Sequence, residues 1–291
     1  YFYRSSLNKL RDNEIFLQTA NISNDKYSIS YTQAKHVNHI RALGRATETL
    51  NQLAPKHIKH FELINENAGM PLLKANIIRE SFDRYQEDNL YPLAKRDIKL
   101  SAATLEDSKD HEYRPKSFYP KTFWGLTPSI RSQIGGPDGF FLGDLRFQGY
   151  FETLFAKNFN LTGSASVGLV SSLDELKITS DSIIPHVRTD IVDYLQESEK
   201  IGIDRLQFNL FNSHSKNLYS KISFGLLEEM FGGYGGEFIY RPFDKNYSIG
   251  AELWHVKQRD YDMLFKFRDY ETVSGLININ YHHPESNVLV S

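Results

Sequence analysis

The sequence predicts a mainly β protein: an antiparallel transmembrane β-barrel, partial in this chain, preceded by a small α+β module. Three observations carry that expectation. First, from Phe140 to Tyr281 apolar and polar residues alternate in long segments separated by short turns. A period of two gives a strand one apolar and one polar face. Second, these segments exceed the roughly five or six residues usual for strands, and long strands with one polar face suit a barrel with a wet interior. Third, no run of about eighteen apolar residues is present, which excludes a transmembrane helix. A mean hydropathy of -0.46 does not oppose the barrel, whose strands need apolar residues only at alternate positions.

Residues 1–95 read as the α+β module, in the order ββαββα. Glu14–Asn21 and Lys26–Thr32 are strands around the Asn24-Asp25 turn. Gln33–Leu53 is a helix, with Val37, Ile40, Leu43, Ala46, Leu50 and Leu53 at helical spacing and Pro55 closing it. His57–Asn65 and Leu72–Arg79 are strands flanking Asn67-Ala68-Gly69, and Glu80–Glu87 is a short helix. Residues 96–137 read as a linker, with Pro115, Pro120, Pro128 and Pro137 and a mixed-charge run from Glu106 to Glu112.

Residues 138–291 hold the barrel strands, at about 140–155, 158–170, 203–212, 217–229, 234–242, 246–262 and 272–282. In the first, Phe141, Leu145, Phe147, Phe151 and Phe155 alternate with Asp144, Arg146, Gln148 and Glu152. Asn246–Asp262 alternates through Leu253 and turns polar at His255, Lys257 and Arg259, as a strand leaving a membrane would. Tyr240, Tyr247, Trp254, Tyr261, Tyr270 and Tyr281 fall near strand ends, where interfacial girdle aromatics belong. Leu173–Lys200 breaks the pattern and reads as a long loop or a short helix across the barrel mouth. Seven strands fall short of the even count of eight or more, so the barrel is expected to continue in a longer protein.

Composition narrows the chemistry. A net charge of -2 gives no support to nucleic-acid binding, which calls for a basic patch. With no cysteine, neither disulfides nor thiol chemistry is available to these 291 residues. Tyr1-Phe2-Tyr3-Arg4-Ser5 has no following apolar stretch and is not a signal peptide, so the chain is expected to be mature or trimmed. Glu228 and Glu229 are a carboxylate pair, but neighbours on a strand diverge, and ion pairing to Arg241 or Arg259 is the expected role. Gly232-Gly233-Tyr234-Gly235-Gly236 reads as a turn, bulge or close approach rather than a phosphate cradle. His36, His39, His57, His60, His282 and His283 lack metal-site spacing, so no metal and no cofactor is expected.

Two stretches, Ser215–Phe243 (SKNLYSKISFGLLEEMFGGYGGEFIYRPF) and Tyr247–Asp262 (YSIGAELWHVKQRDYD), resemble the YjbH-like (GfcD-like) outer-membrane proteins of exopolysaccharide and capsule gene clusters. His186-Val187-Arg188-Thr189-Asp190, Arg205-Leu206-Gln207, Arg41–Ala46 with Leu53-Ala54-Pro55, and more weakly Tyr270–Tyr281, fit the same pattern. The resemblance implies a bacterial outer-membrane barrel with a periplasmic module, non-enzymatic, serving polysaccharide export or assembly. Its implied partners are a polysaccharide, other export components and outer-membrane lipid. Family members are often lipoproteins, a feature that cannot be carried onto a chain without cysteine. On this reading Arg146, Gln148, Tyr150, Glu152, Lys221, Trp254 and Gln258 line the lumen and are glycan-binding candidates, with Tyr150 and Trp254 as stacking platforms. The alternatives are a soluble periplasmic carbohydrate-binding β-sandwich and a glycan-modifying enzyme using Glu228, Glu229 or Asp260.

Overall fold

A computed structural model describes residues 2–35, 39–87, 97–116, 119–136, 139–173, 190–197, 201–282 and 289–290. The chain is mainly β, arranged as two sheets.

The first sheet is five-stranded, in the order β1 (Ile15–Ser23), β2 (Lys26–Gln33), β3 (His60–Asn67), β4 (Met70–Ile78), β5 (Ile98–Ser101). Only β2 and β3 are parallel, because helix α2 (His39–Leu53) crosses over between them. Helix α1 (Phe2–Arg11) precedes the sheet and α3 (Arg79–Glu87) follows β4. Ala42, Leu43, Ala46 and Leu50 of α2, with Leu10 of α1, pack on Tyr27, Ile29, Tyr31, Phe61, Leu63 and Ile77 to form the principal core. Arg79 closes the end of α2 by donating to the carbonyl oxygens of Asn51 (3.1 Å) and Pro55 (2.7 Å), where cations and donors are favoured. At the edge of β1 Tyr113 bridges to Ala20 and its ring stacks on Tyr3 of α1, while on the face away from the helices His111 Nδ1 lies 2.7 Å from Thr19 Oγ1. Burial holds the His111 imidazole below its ordinary value. Burial would raise the Asp107 carboxyl, but hydrogen bonds from Lys74 and Thr104 outweigh it and hold that carboxyl low.

The second sheet is a nine-stranded antiparallel meander: β6 (Lys121–Gly136), β7 (Gly139–Ala156), β8 (Phe159–Ser171), β9 (Gly202–Ser215), β10 (Leu218–Leu226), β11 (Phe231–Tyr240), β12 (Tyr247–Arg259), β13 (Phe267–His282) and β14 (Leu289–Val290). Every strand pairs with its sequence neighbour, so β6 and β14 are edges and these residues do not close a barrel. The sheet still curls. Arg131 on β6 reaches Glu229 in the β10–β11 turn at 2.5 Å, although four strand spacings of a flat sheet cover about 19 Å.

The apolar face of this sheet is uncovered. Phe147, Ile222 and Leu253 are 42%, 51% and 63% exposed, and Phe155, Phe159, Phe208 and Phe224 form a ladder of rings with neighbouring centroids 5.0–5.9 Å apart. The opposite face holds Asp144, Arg146, Asn160, Ser166, Gln207, Asn209 and Ser223, all buried. No helix among the described residues is long and apolar enough to cross a membrane.

The sequence expectations meet several corrections. Residues 121–136 are strand β6 rather than linker, and Ile98–Ser101 joins the first sheet. Prolines hid β6, but as an edge strand it tolerates Pro128, which has no N–H to offer a ladder. Helix α1 went unread, and α2 begins at His39 among the described residues. Trp254 is no girdle residue. It sits within β12, on the polar face. Arg259 does not run out into water: a register shift after Lys257 turns it inward, where it is fully buried. His36, Val37, His186–Thr189 and His283 lie outside the described residues.

The first sheet meets one end of the second. Lys157 Nζ in the β7–β8 turn lies 3.6 Å from Glu66, and Tyr219 Oη at the β9–β10 turn donates to the Pro71 carbonyl oxygen at 3.3 Å. The short turns Lys157-Asn158 and Lys216-Asn217 therefore share an end with the α+β unit. The long β8–β9 connection, with helix α4 (Ile191–Gln196), lies at the other end. There Tyr194 Oη donates to the Arg259 carbonyl oxygen at 2.6 Å, and Arg259 donates to the carbonyl oxygens of Glu228, Met263 and Leu264.

Candidate functional site

The alternation of β7 to β13 places one polar side chain per two residues on the curled inner face, and neighbouring strands bring these into rows. Two different environments result.

On β6 to β9 the polar groups engage one another in ion pairs and hydrogen bonds. Arg146 lies 3.2 Å from Asp144, 3.6 Å from Glu229 and 4.0 Å from Asp204. Gln148 Nε2 and Ser166 Oγ donate to Asp204 at 2.8 and 2.6 Å. Asn160 Nδ2 donates to Glu152 at 2.6 Å, Asn209 Nδ2 to Asn160 at 3.0 Å, and Ser223 Oγ to Asn209 at 2.7 Å. Such a belt rigidifies a wall, and it leaves Arg146 and Asp144 almost without solvent contact.

On β9 to β13 the wall opens into a cleft of about 650 Å³, lined by residues that include Gln207, Lys221, Glu237, Glu252 and Trp254. Lys221, Glu237 and Glu252 face one another in a row across β10, β11 and β12. Lys221 Nζ is 2.6 Å from Glu237 and 5.9 Å from the centre of the Trp254 ring. Trp254 Nε1 donates to Glu252 at 3.1 Å. The indole lies close over Gly235, where a Cβ would fall 2.3 Å from its Cε3. The glycine-rich run is thus strand β11, and Gly235 is the floor on which the ring rests. Tyr150 lies likewise over Gly125, whose Cβ would meet the phenol oxygen at 2.4 Å.

The seven sequence candidates all reach the inner face but do not converge. Lys221 and Trp254 share the cleft. Arg146, through ion pairs, and Gln148 and Glu152, through hydrogen bonds, belong to the belt, and Tyr150 stands exposed beside it. Gln258 lies beneath α4, donating to Asp190 at 3.0 Å and to Tyr194 Oη at 3.2 Å. Glu229 pairs with Arg131 and Arg146 rather than with Arg241 or Arg259, because the curl brings distant strands together. Sequence reading singled out neither Glu237 nor Arg131. Glu237 was legible in principle, since it alternates with the glycines of its strand. Arg131 lay in the stretch read as linker.

Comparison with known proteins places the geometry in a lineage. An uncharacterized lipoprotein, YjbH, of Escherichia coli (strain K12) is 34% identical over 157 residues, 52% of this chain. That match spans 22% of the relative's length, well under two thirds of it. No solved structure matches. The family described as YjbH, exopolysaccharide biosynthesis protein YbjH, matches residues 3–291, and the chain belongs to that family.

Proposed function

We propose that residues 121–290 form part of an outer-membrane β-barrel that gives an exopolysaccharide a polar, non-enzymatic path or docking wall, with the α+β unit in the periplasm. One observation carries this reading: the nine-stranded sheet turns its apolar side chains outward, uncovered, and its polar ones inward. In water such a face would be a large aggregation liability; against lipid tails it is the expected surface. The long β8–β9 connection lies at the end away from the α+β unit, which supports the orientation, since external loops are the long ones. The family's tie to exopolysaccharide biosynthesis supports the cargo. The α+β unit is then available to other export components.

Membrane fractionation of the full-length protein, followed by electrophoresis with and without boiling, tests the reading. Detergent-dependent extraction and faster migration of the unboiled form are expected. Release by osmotic shock without detergent would overturn it. In liposomes, Lys221→Glu is expected to alter conductance or glycan retention while leaving assembly intact.

A further inference from the structure

We infer that the β9–β13 cleft is a stacking subsite for pyranose rings, taken in preference to furanose rings, with Trp254 as its platform and Gly235 as the residue that lets the platform lie flat; this rests on the glycan-path reading above. Side chains leave a strand roughly along the normal of the sheet. At Gly235 a Cβ would fall 2.3 Å from Trp254 Cε3 and 2.5 Å from Cδ2. Both atoms belong to the six-membered ring, so the indole lies across the wall and covers β11 instead of rising from β12. Its Nε1, donating to Glu252 at 3.1 Å, fixes the ring's rotation. One face of the indole is thus laid against the strand. The side chain is still only half-buried and lines the cleft, so the other face is turned to the lumen.

A flat apolar plate in a polar wall complements a ligand that is apolar on one side and polar around its rim. A pyranose chair is such a ligand: axial C–H groups gather on a face while hydroxyls project at the edge. A furanose ring is puckered, carries hydroxyls above and below, and offers no comparable plane. The neighbours of the indole suit the rim. A carboxylate accepts at about four sites, and the indole takes one of those on Glu252. Ser274, the direct cross-strand partner of Trp254, brings a hydroxyl to the same cleft. Lys221 Nζ, held by Glu237 at 2.6 Å, lies 5.9 Å from the ring centre, within reach of the oxygens of a sugar stacked there. Tyr150 also lies over a glycine, Gly125, but outside the cleft. A ring over glycine can serve the sheet alone, by covering bare backbone; what distinguishes Trp254 is the 650 Å³ of open space above it.

The test is calorimetry on the full-length protein in detergent, titrated with gluco-, manno- and galactopyranose hexamers and with a fructofuranose hexamer. At least one pyranose hexamer is expected to bind about tenfold or more tighter than the fructofuranose one, a preference of about 1.4 kcal/mol. Trp254→Leu is expected to abolish that preference, and Trp254→Phe, which keeps an aromatic plane, to retain part of it, with heat-modifiable migration showing that each variant is assembled. Should Trp254→Leu fail to assemble, the comparison of ring types on the unmodified protein decides alone. Equal binding of the two ring types, or a pyranose preference that survives Trp254→Leu, would overturn this inference, leaving the indole as cover for Gly235 and the glycan path standing. Binding of no hexamer would overturn it as well; the glycan path fails separately, by release of the protein without detergent.

Discussion

The two sheets of this chain obey one alternation rule and bury opposite faces. In the five-stranded sheet, Tyr27, Ile29, Tyr31, Phe61 and Leu63 are completely buried beneath α1 and α2. In the nine-stranded sheet, Phe147, Ile222, Phe224 and Leu253 stand exposed, while Asp144, Arg146 and Ser223 are buried. Alternation makes a sheet two-faced; it does not say which face meets which solvent. The first unit carries helices of its own to cover its apolar side. Among the described residues the second has no helix over its apolar side, since α4 lies against Gln258 and Arg259, and its curl gathers the polar residues instead.

That contrast can be broken most directly by truncating a ring in each sheet. Phe61→Ala is expected to cost about 3–5 kcal/mol, as large-to-small changes in packed cores do, whereas Phe224→Ala in detergent costs far less. Denaturant unfolding of both variants measures the difference, and equal losses would mean the second apolar face is packed after all. Next in size is the buried belt. Arg146→Met removes the cation within 4.0 Å of Asp144 and Asp204 and leaves Arg131 as a second positive charge beside them, and removing one partner of a buried pair costs about 3–5 kcal/mol. Glu152, with one hydrogen bond from Asn160, is expected to tolerate Gln with a much smaller change.

The solvent on the outer face is read by Ile222→Arg. If lipid touches it near the middle of the membrane, the change costs about 2–4 kcal/mol in bilayers; in water a half-exposed site barely responds. Refolding yield into liposomes distinguishes the two. The smallest expected effect belongs to the α+β unit. The folded-state value of His111 lies below the ordinary histidine value, so the unfolded chain takes up the proton first as pH falls. Stability is therefore full above about pH 6.5 and declines below it, by at most about 1.4 kcal/mol per pH unit until the folded form also protonates. His111→Asn is expected to flatten that slope in pH-dependent melting of the unit's signal.

Much of this architecture could be read from residue order. The seven strands between Phe140 and His282 appear within a few residues of their expected places, because a period of two is a local property of a two-faced strand. The polar lining was legible for the same reason, and Lys221 and Trp254 do share a cleft. The prolines near β6 misled, since the cost of a proline depends on whether its strand is an edge, which is a fact about neighbours. Glu229 was assigned to the wrong arginines because the true partner, Arg131, is 98 residues away along the chain and adjacent only once the sheet curls.

Sequence by itself settled which residues lie on the same side of each ribbon, since that follows from backbone geometry alone. Tertiary structure decided what each side faces: helices over the first sheet, open surroundings outside the second. It also decided which inner residues neutralise one another and which remain open in a cleft. Those outcomes depend on curvature and strand adjacency, which bring distant charges within a few ångströms and are encoded in no local window.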